Sequence, residues 1–466
     1  MISSLDLDSA AVIAEGVRRG RVSAVEVIRA ALGRTYASHR ALNAFTRITS
    51  ERALAEAGRI DRLIATGQDP GPLAGVPFAV KNLFDLAGVI TVAGSRIHRD
   101  HPAAANDATA VARLCAAGAV CIGALNMGEY AYDFVTDNAH DGPTRNPRDL
   151  LRSAGGSSGG SGAAVAAGLV PLTLGTDTNG SIRVPASFCG VWGLKPTYGR
   201  LSRAGSIPFV ESLDHIGPLA RTVTDLTLAY DVMQGPDPLD AACTHRSPEL
   251  CLDLIERGMG DLRVAVLGGY FSRGGDPQVH SAVMTVAAAL DVTRVVELPA
   301  VTEARGAAYV ITASEGGQFH LDRLRSRASD FDPASRDRLR AGALLPAAWY
   351  LHAQRFRAWW REQVREIFQT VDVLLAPATP VPATLIGQEM MLLEGKSLPV
   401  RPNLGLFTQP LSFVGLPVVA APVFSCGVLP TAVQLVAAPW REDALLRVAR
   451  ALERAEVCVS PLSPVP

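Results

Sequence analysis

Between residues 151 and 217 the chain is crowded with glycine, serine and other small residues, yet apolar runs are woven through it at 163–170, 172–174 and 188–194. A flexible tether carries no such runs, so this stretch belongs to a packed interior and not to a linker. Two Gly/Ser loops lie inside it, residues 155–162 (GGSSGGSG) and 175–183 (GTDTNGSIR), and they bracket a helix and a strand. Glycines allow positive φ and let amide N–H groups come close to a ligand. An anion or oxyanion cradle needs that approach.

The flanking sequence switches between helical and strand periods. Residues 5–18 are periodic as a helix, Ser23 and Glu26 form an S-x-x-E capping signal ahead of Val27, Ile28 and Leu32, and residues 41–66 read as a second helix. Residues 75–80 (GVPFAV) are short and apolar, as expected of a buried strand, with Lys81 at its end. A helix is expected at 107–117 and a strand at 119–125. Strand-like 263–267, 371–376, 418–422 and 432–436 then alternate with helix-like 277–290, 346–368 and 442–455. This alternation predicts an α/β protein whose sheet is covered by helices on both faces. No linker divides it, so residues 1–466 are expected to form one domain, with a helical segment over about residues 1–70 packed on the α/β core.

Charge and cysteine content exclude several classes. The 44 basic and 45 acidic side chains nearly cancel, and a nucleic-acid partner would need a strong basic surface. The seven cysteines (Cys115, Cys121, Cys189, Cys243, Cys251, Cys426 and Cys458) are odd in number and mostly set in apolar stretches, which favours reduced core thiols. No CxxC pair or HExxH helix is present, so no metal is expected. The first 15 residues lack the basic-then-apolar order of a secretory signal, and no apolar run of about 18 residues is available to span a bilayer. A cytoplasmic protein that does not enter a membrane is the expectation.

What the loops do is not settled by their composition. The Walker pattern ends in Gly-Lys-[Ser/Thr], and neither loop has a lysine there; GxGxxG is also absent from the strand-to-helix position. Glycines and serines that only permit tight turns and close helix packing are one alternative. A Ser-His enzyme using His140 or His215 is another, with no GxSxG elbow to accompany it.

The motifs around the loops resemble the amidase signature family. The likeness runs through 75–85 (GVPFAVKNLFD), 126–149, 154–197 with GGSSGGS, GTDTNGSIRVPASFCG and GLKPT, 372–382 (DVLLAPATPVP), 415–422 and 442–453. The resemblance implies one large mixed sheet and an amide-cleaving enzyme that uses no cofactor. By position it makes Ser181 the nucleophile, Lys81 the base and Ser157 the bridge between them, with a cis peptide bond before Ser157. Ser158 would support the bridge, and the N–H groups of Thr178, Asn179, Gly180 and Ser181 would form the oxyanion hole. The family commonly has glycine where this chain has Asn179, a residue that tolerates positive φ and whose side chain would narrow the site. Asp177 and Arg183 flank Ser181 and are expected to tie the loop together by a charged hydrogen bond.

The chemistry explains these residue types. A serine hydroxyl is a poor nucleophile until a base takes its proton, and a lysine with a reference pKa of about 10.4 is charged until its surroundings lower it. At the end of a buried strand Lys81 would be lowered by desolvation. Ser157 can donate and accept at once, passing the proton of Ser181 to neutral Lys81 and back to the leaving nitrogen.

Within the family, residues 128–141 (GEYAYDFVTDNAHD) look most like members that hydrolyse 1-carboxybiuret, a small ureido amide. Tyr132 and Asn138 are candidates to hydrogen-bond such a substrate, with His140 beside them, and Arg323 or Arg325 to pair with its carboxylate. The alternatives are a general small-amide amidase and an amidotransferase-type glutaminase subunit. The resemblance also implies an oligomer with a small helical partner subunit, like that of tRNA-dependent amidotransferases.

Overall fold

The computed structural model describes residues 9–424 and 428–463. Cys426 and the first residues of the helix expected from residue 5 lie outside them. Eleven strands form one sheet: Phe45–Ile48 (β1), Pro77–Lys81 (β2), Val120–Leu125 (β3), Leu172–Asp177 (β4), Trp192–Lys195 (β5), His215–Ala220 (β6), Val264–Leu267 (β7), Val295–Val296 (β8), Val373–Pro377 (β9), Val418–Val423 (β10) and Thr431–Ala437 (β11). Their order across the sheet is β1-β3-β2-β4-β6-β5-β10-β11-β9-β7-β8. The strand β2 runs parallel to β3 and β4, and β7 parallel to β8 and β9, while the other pairs are antiparallel. Every residue of β2, β3, β4, β6, β10 and β11 is buried. A strand buried at successive positions has both faces covered, here by the helices.

The Gly/Ser composition of the central stretch lets a helix lie directly on this sheet. All eight residues of Gly159–Ala166 are buried, and none has a side chain larger than valine. Ser161 Oγ donates to Leu174 O at 2.9 Å, and Thr173 Oγ1 donates to Ser161 O at 3.2 Å, so helix and β4 are joined by hydrogen bonds as well as by packing.

The structure corrects the expected N-terminal helices. The capping box at Ser23 and Glu26 is formed and starts the helix Ala24–Leu42. Asn43 then turns left-handed (φ 51) and ends it. The residues expected to begin a second helix instead form β1, which pairs antiparallel with β3 through Phe45 and Leu125, before the helix Ser50–Ala65. The helices that were not expected include Val223–Met233 and the packed pair Val301–Phe319 and Pro333–Ala343. The mutual contact of that pair uses small residues rather than an apolar stripe: a Cβ on Gly342 would fall 2.0 Å from Ala313 O. Periodicity of large apolar residues, the signal used to find helices, is weak in such a pair.

Candidate active site

The β2–β4 register pairs Val80 with Leu174 and brings Lys81 to the carboxyl end of β4. Lys81 Nζ donates to Ser157 Oγ at 2.7 Å and to Thr176 Oγ1 at 2.8 Å. Lysine and both hydroxyls are buried. Burial pushes the Lys81 amine down to about 7, against the opposing pull of the Asp133, Asp214 and Asp177 carboxylates. The Gly156–Ser157 bond is cis. Ser158 Oγ donates to Thr176 O at 3.2 Å and accepts from Thr176 N at 3.3 Å, which pins the first Gly/Ser loop to the second.

Ser181 sits between β4 and the buried helix Arg183–Cys189. Among the described residues no hydrogen bond joins its hydroxyl to Ser157, so the structure makes the Lys81–Ser157 link and leaves the other link open. Catalytic hydrogen bonds are often loose without substrate and tighten when it binds. Among the described residues the backbone N–H groups of Asn179, Gly180 and Ser181 also have no acceptor within the chain, as a cradle for an oxyanion requires.

Gly180 is the residue that supplies the unusual backbone here, with φ 142 and no room for a Cβ, which would lie 2.3 Å from Thr408 Oγ1. Asn179 is not among the positive-φ residues, so the expected role of its conformational tolerance is corrected: it occupies ordinary backbone. Its carbonyl accepts from Thr408 Oγ1 at 2.6 Å, and its Nδ2 donates to Thr312 Oγ1 at 2.9 Å. Thr178 Oγ1 donates to Asp214 Oδ1 at 2.5 Å.

Behind the loop, Arg183 donates to Asp177 through Nε and Nη2, both at 2.9 Å. It also donates to Gln434 Oε1 at 2.6 Å, to Thr408 O at 3.2 Å and to Ser412 Oγ. Burial alone would raise the Asp177 carboxyl, but the adjacent guanidinium overrides it and holds the group well below the usual carboxylate range.

In front of Ser181 lies a narrow cleft bounded by Tyr132, Asp133, Asn179, Thr312 and Arg338. It shares Tyr309, Arg338 and Pro402 with an outer cavity of about 510 Å³. Another cavity, of about 350 Å³, reaches Thr176 and Thr178. Arg338 lies over the Tyr132 ring at 3.9 Å and donates to Tyr132 O, while the Tyr132 hydroxyl is buried without a partner in the chain.

Several expected contacts are not made. Asn138 does not face the cleft: its Nδ2 donates to Gly94 O and Met127 O, and its Oδ1 accepts from His140 N and Asp141 N, so its side chain is spent on holding a loop. His140 pairs with Glu129 at 3.0 Å. His215 is buried between Leu213 O and Lys195 Nζ, away from any serine hydroxyl bond. Arg325 is exposed beside Asp322, and Arg323 lies over the Phe319 ring near His320. The arginine in the cleft is Arg338, missed because it sits in an RDRLR run at 336–340 where nothing in the sequence separates it from its neighbours. Thr176 was also missed, although it lies within the quoted GTDTNGSIR motif. Among the described residues no group of three or more His, Cys, Asp or Glu side chains converges as a metal site requires. Nor, among the described residues, is any helix long and apolar enough to cross a membrane.

The structure thus brings together a buried lysine, a serine bonded to it, and a second serine in a loop whose amides have no acceptor among the described residues. The Amidase family model matches residues 26–446. The chain is 55% identical over 443 residues to AtzE, a 1-carboxybiuret hydrolase subunit from Pseudomonas sp. (strain ADP), covering 95% of this chain and 97% of that one. It is 39% identical over 476 residues to a glutamyl-tRNA(Gln) amidotransferase subunit from Roseiflexus sp. (strain RS-1), covering 94% of each. A solved structure described as "An unexpected vestigial protein complex reveals the evolutionary origins of an s-triazine catabolic enzyme" matches with a TM-score of 0.96 at 53% identity, over 97% of this chain and 100% of that one. The chain belongs to the amidase family, and it is an enzyme that hydrolyses amide bonds.

Proposed function

We propose that this enzyme hydrolyses a small anionic ureido amide, 1-carboxybiuret, with release of ammonia. The chemistry is carried by the 2.7 Å hydrogen bond between buried Lys81 and Ser157. With Lys81 neutral, Ser157 passes its proton to the amine and takes the proton of Ser181 as Ser181 Oγ bonds to the amide carbon. The developing oxyanion is met by the free N–H groups of Asn179, Gly180 and Ser181. The proton then returns through Ser157 to the departing nitrogen, which leaves as ammonia as the carbon–nitrogen bond breaks. A water molecule cleaves the acyl-serine by the same relay in reverse, restoring the Ser181 hydroxyl.

Two observations favour the ureido substrate over a long acyl amide. The relative with 55% identity is named for 1-carboxybiuret hydrolysis, and the cleft is narrow, with Asp133, Asn179 and Arg338 set among apolar and aromatic walls and Arg338 free of any carboxylate partner among the described residues. Arg338 replaces Arg323 and Arg325 as the proposed carboxylate anchor. An oligomeric state with a helical partner subunit belongs to the same proposal, supported by relatives named as subunits. So does a cytoplasmic setting, with which the six described cysteines, all unpaired, agree.

The test is ammonia release from 1-carboxybiuret by the wild type and by Ser181→Ala. The variant is expected to fold, to form no acyl-enzyme detectable by mass spectrometry and to lose at least about 1,000-fold in kcat. An acylated Ser181→Ala protein would sink the assignment of the nucleophile. A wild type that ignores every ureido amide but cleaves glutamine would favour the glutaminase alternative.

A further inference from the structure

We infer that Asp133 is a specificity-determining residue that accepts hydrogen bonds from the N–H groups of the ureido substrate, and that the missing side chains at Gly128 and Gly156 seat its carboxylate beside Ser181. The inference rests on the ureido-amidase proposal and deepens it.

The seat is visible in the packing. A Cβ built on Gly128 would fall 2.2 Å from Asp133 Oδ1 and 2.6 Å from Oδ2, and one on Gly156 would fall 2.6 Å from Oδ1. Gly128 has φ −65 and ψ 141, a conformation open to any residue. Its lack of a side chain therefore answers to the carboxylate and not to the backbone. Any larger residue at 128 competes with Asp133 for the same space.

The carboxylate so placed is buried, borders the cleft with Ser181, and is under-used. Its Oδ1 accepts from Thr136 N at 3.2 Å, and its Oδ2 meets Arg401 Nη1 at 3.4 Å. An ionised carboxylate offers about four acceptor sites, so two long contacts leave capacity unspent. Glu129, four residues earlier, shows the contrasting case. Its two oxygens take Ser95 Oγ at 2.8 Å, His140 Nε2 at 3.0 Å, Asp332 N at 2.8 Å and Ser335 Oγ. Glu129 is thus a saturated structural acid, whereas Asp133 has acceptor sites to spare where substrate arrives. A ureido amide carries N–H groups along a planar chain and supplies the missing donors. Arg338 bounds the same cleft and takes the opposite charge.

The experiment compares kcat/KM for 1-carboxybiuret with that for p-nitrophenyl acetate, an activated ester that has no N–H. Asp133→Asn keeps the volume but replaces one acceptor oxygen with a donor that opposes the substrate. It is expected to lose at least about tenfold more on 1-carboxybiuret than on the ester. Gly128→Ala, which must displace the carboxylate, should shift discrimination the same way; Gly128→Ala/Asp133→Gly should regain thermal stability without regaining discrimination. Equal losses of Asp133→Asn on both substrates, or no loss on either, overturn the inference. Unchanged discrimination in a folded Gly128→Ala protein overturns the seat. A wild type that cleaves the ester and no ureido amide overturns the substrate proposal and this one with it, whereas a ureido-active wild type with indifferent variants overturns this one alone.

Discussion

The loop at 177–183 and the rim of the cleft in front of it are built on opposite plans. In the loop the charged side chains are committed to the protein: Arg183 alone makes five hydrogen bonds, reaching from Asp177 to Thr408, Ser412 and Gln434. At the rim, Arg338 and Tyr309 are only partly covered, and the Tyr132 hydroxyl has no partner in the chain. A fully satisfied buried network fixes geometry, as a reaction with moving protons needs. Groups with spare hydrogen-bonding capacity fix nothing until a ligand arrives, and they decide which ligand does. The contrast predicts that loop changes damage folding and chemistry together, and that rim changes alter substrate choice.

The largest effect should come from Arg183→Met. It leaves Asp177 as an uncompensated buried charge, a change that typically costs about 3–5 kcal/mol. Thermal unfolding should show the loss directly, and the Asn179–Ser181 loop should lose its catalytic geometry with it. A stable and active Arg183→Met protein would mean that the loop is held by Thr408 and backbone packing alone.

The interior should also set the pH dependence. Burial lowers the Lys81 amine to about 7, and only the neutral amine can take the proton from Ser157. Activity should therefore rise with pH through about 7 and level off above it, falling about tenfold per unit on the acid side. Arginine stays protonated throughout this range, so the rim adds no limb of its own. An acid limb centred near 4 would assign the titration to a carboxylate and remove Lys81 as the base.

Truncating the rim should act differently. Arg338→Ala removes the proposed carboxylate anchor without touching the relay, so KM for 1-carboxybiuret should rise by about 10–100-fold, with a smaller change in kcat. The neutral analogue biuret should be much less affected. Equal losses on both substrates would make Arg338 a support for Tyr132, over which it lies, and not an anchor.

The same division explains what could be read from the sequence. Buried β2, β3, β10 and β11 were legible because strands covered on both faces are short apolar runs bounded by glycine and proline. The loop motifs stood out because close approach of helix, sheet and ligand demands glycine and serine in a fixed order. The rim was illegible. Arg338 reaches the cleft only because Pro333–Ala343 docks on Val301–Phe319 through Gly342, and a helix contact made by small residues leaves no periodic signal. Asn138 shows the converse error, a polar residue in a suggestive motif whose four hydrogen bonds all go to the backbone.

Asn179 lies on the border between the two regions and should give the smallest effect. Its Nδ2 ties the loop to Thr312 of the rim helix, yet its Oδ1 is buried without a partner in the chain. Asn179→Gly loses one hydrogen bond, a net of about 1 kcal/mol, and releases an unsatisfied carbonyl whose burial costs about 1–3 kcal/mol. Greater freedom of the unfolded chain subtracts about 0.5–1 kcal/mol. These terms nearly cancel, so stability should stay within about 1 kcal/mol of the wild type. The vacated space lies in the cleft beside Ser181, so a larger acyl amide such as hexanamide should gain a few-fold in kcat/KM relative to 1-carboxybiuret. A loss of stability as large as that of Arg183→Met would move Asn179 into the rigid loop. No change in relative preference would show that its side chain does not limit the width of the cleft.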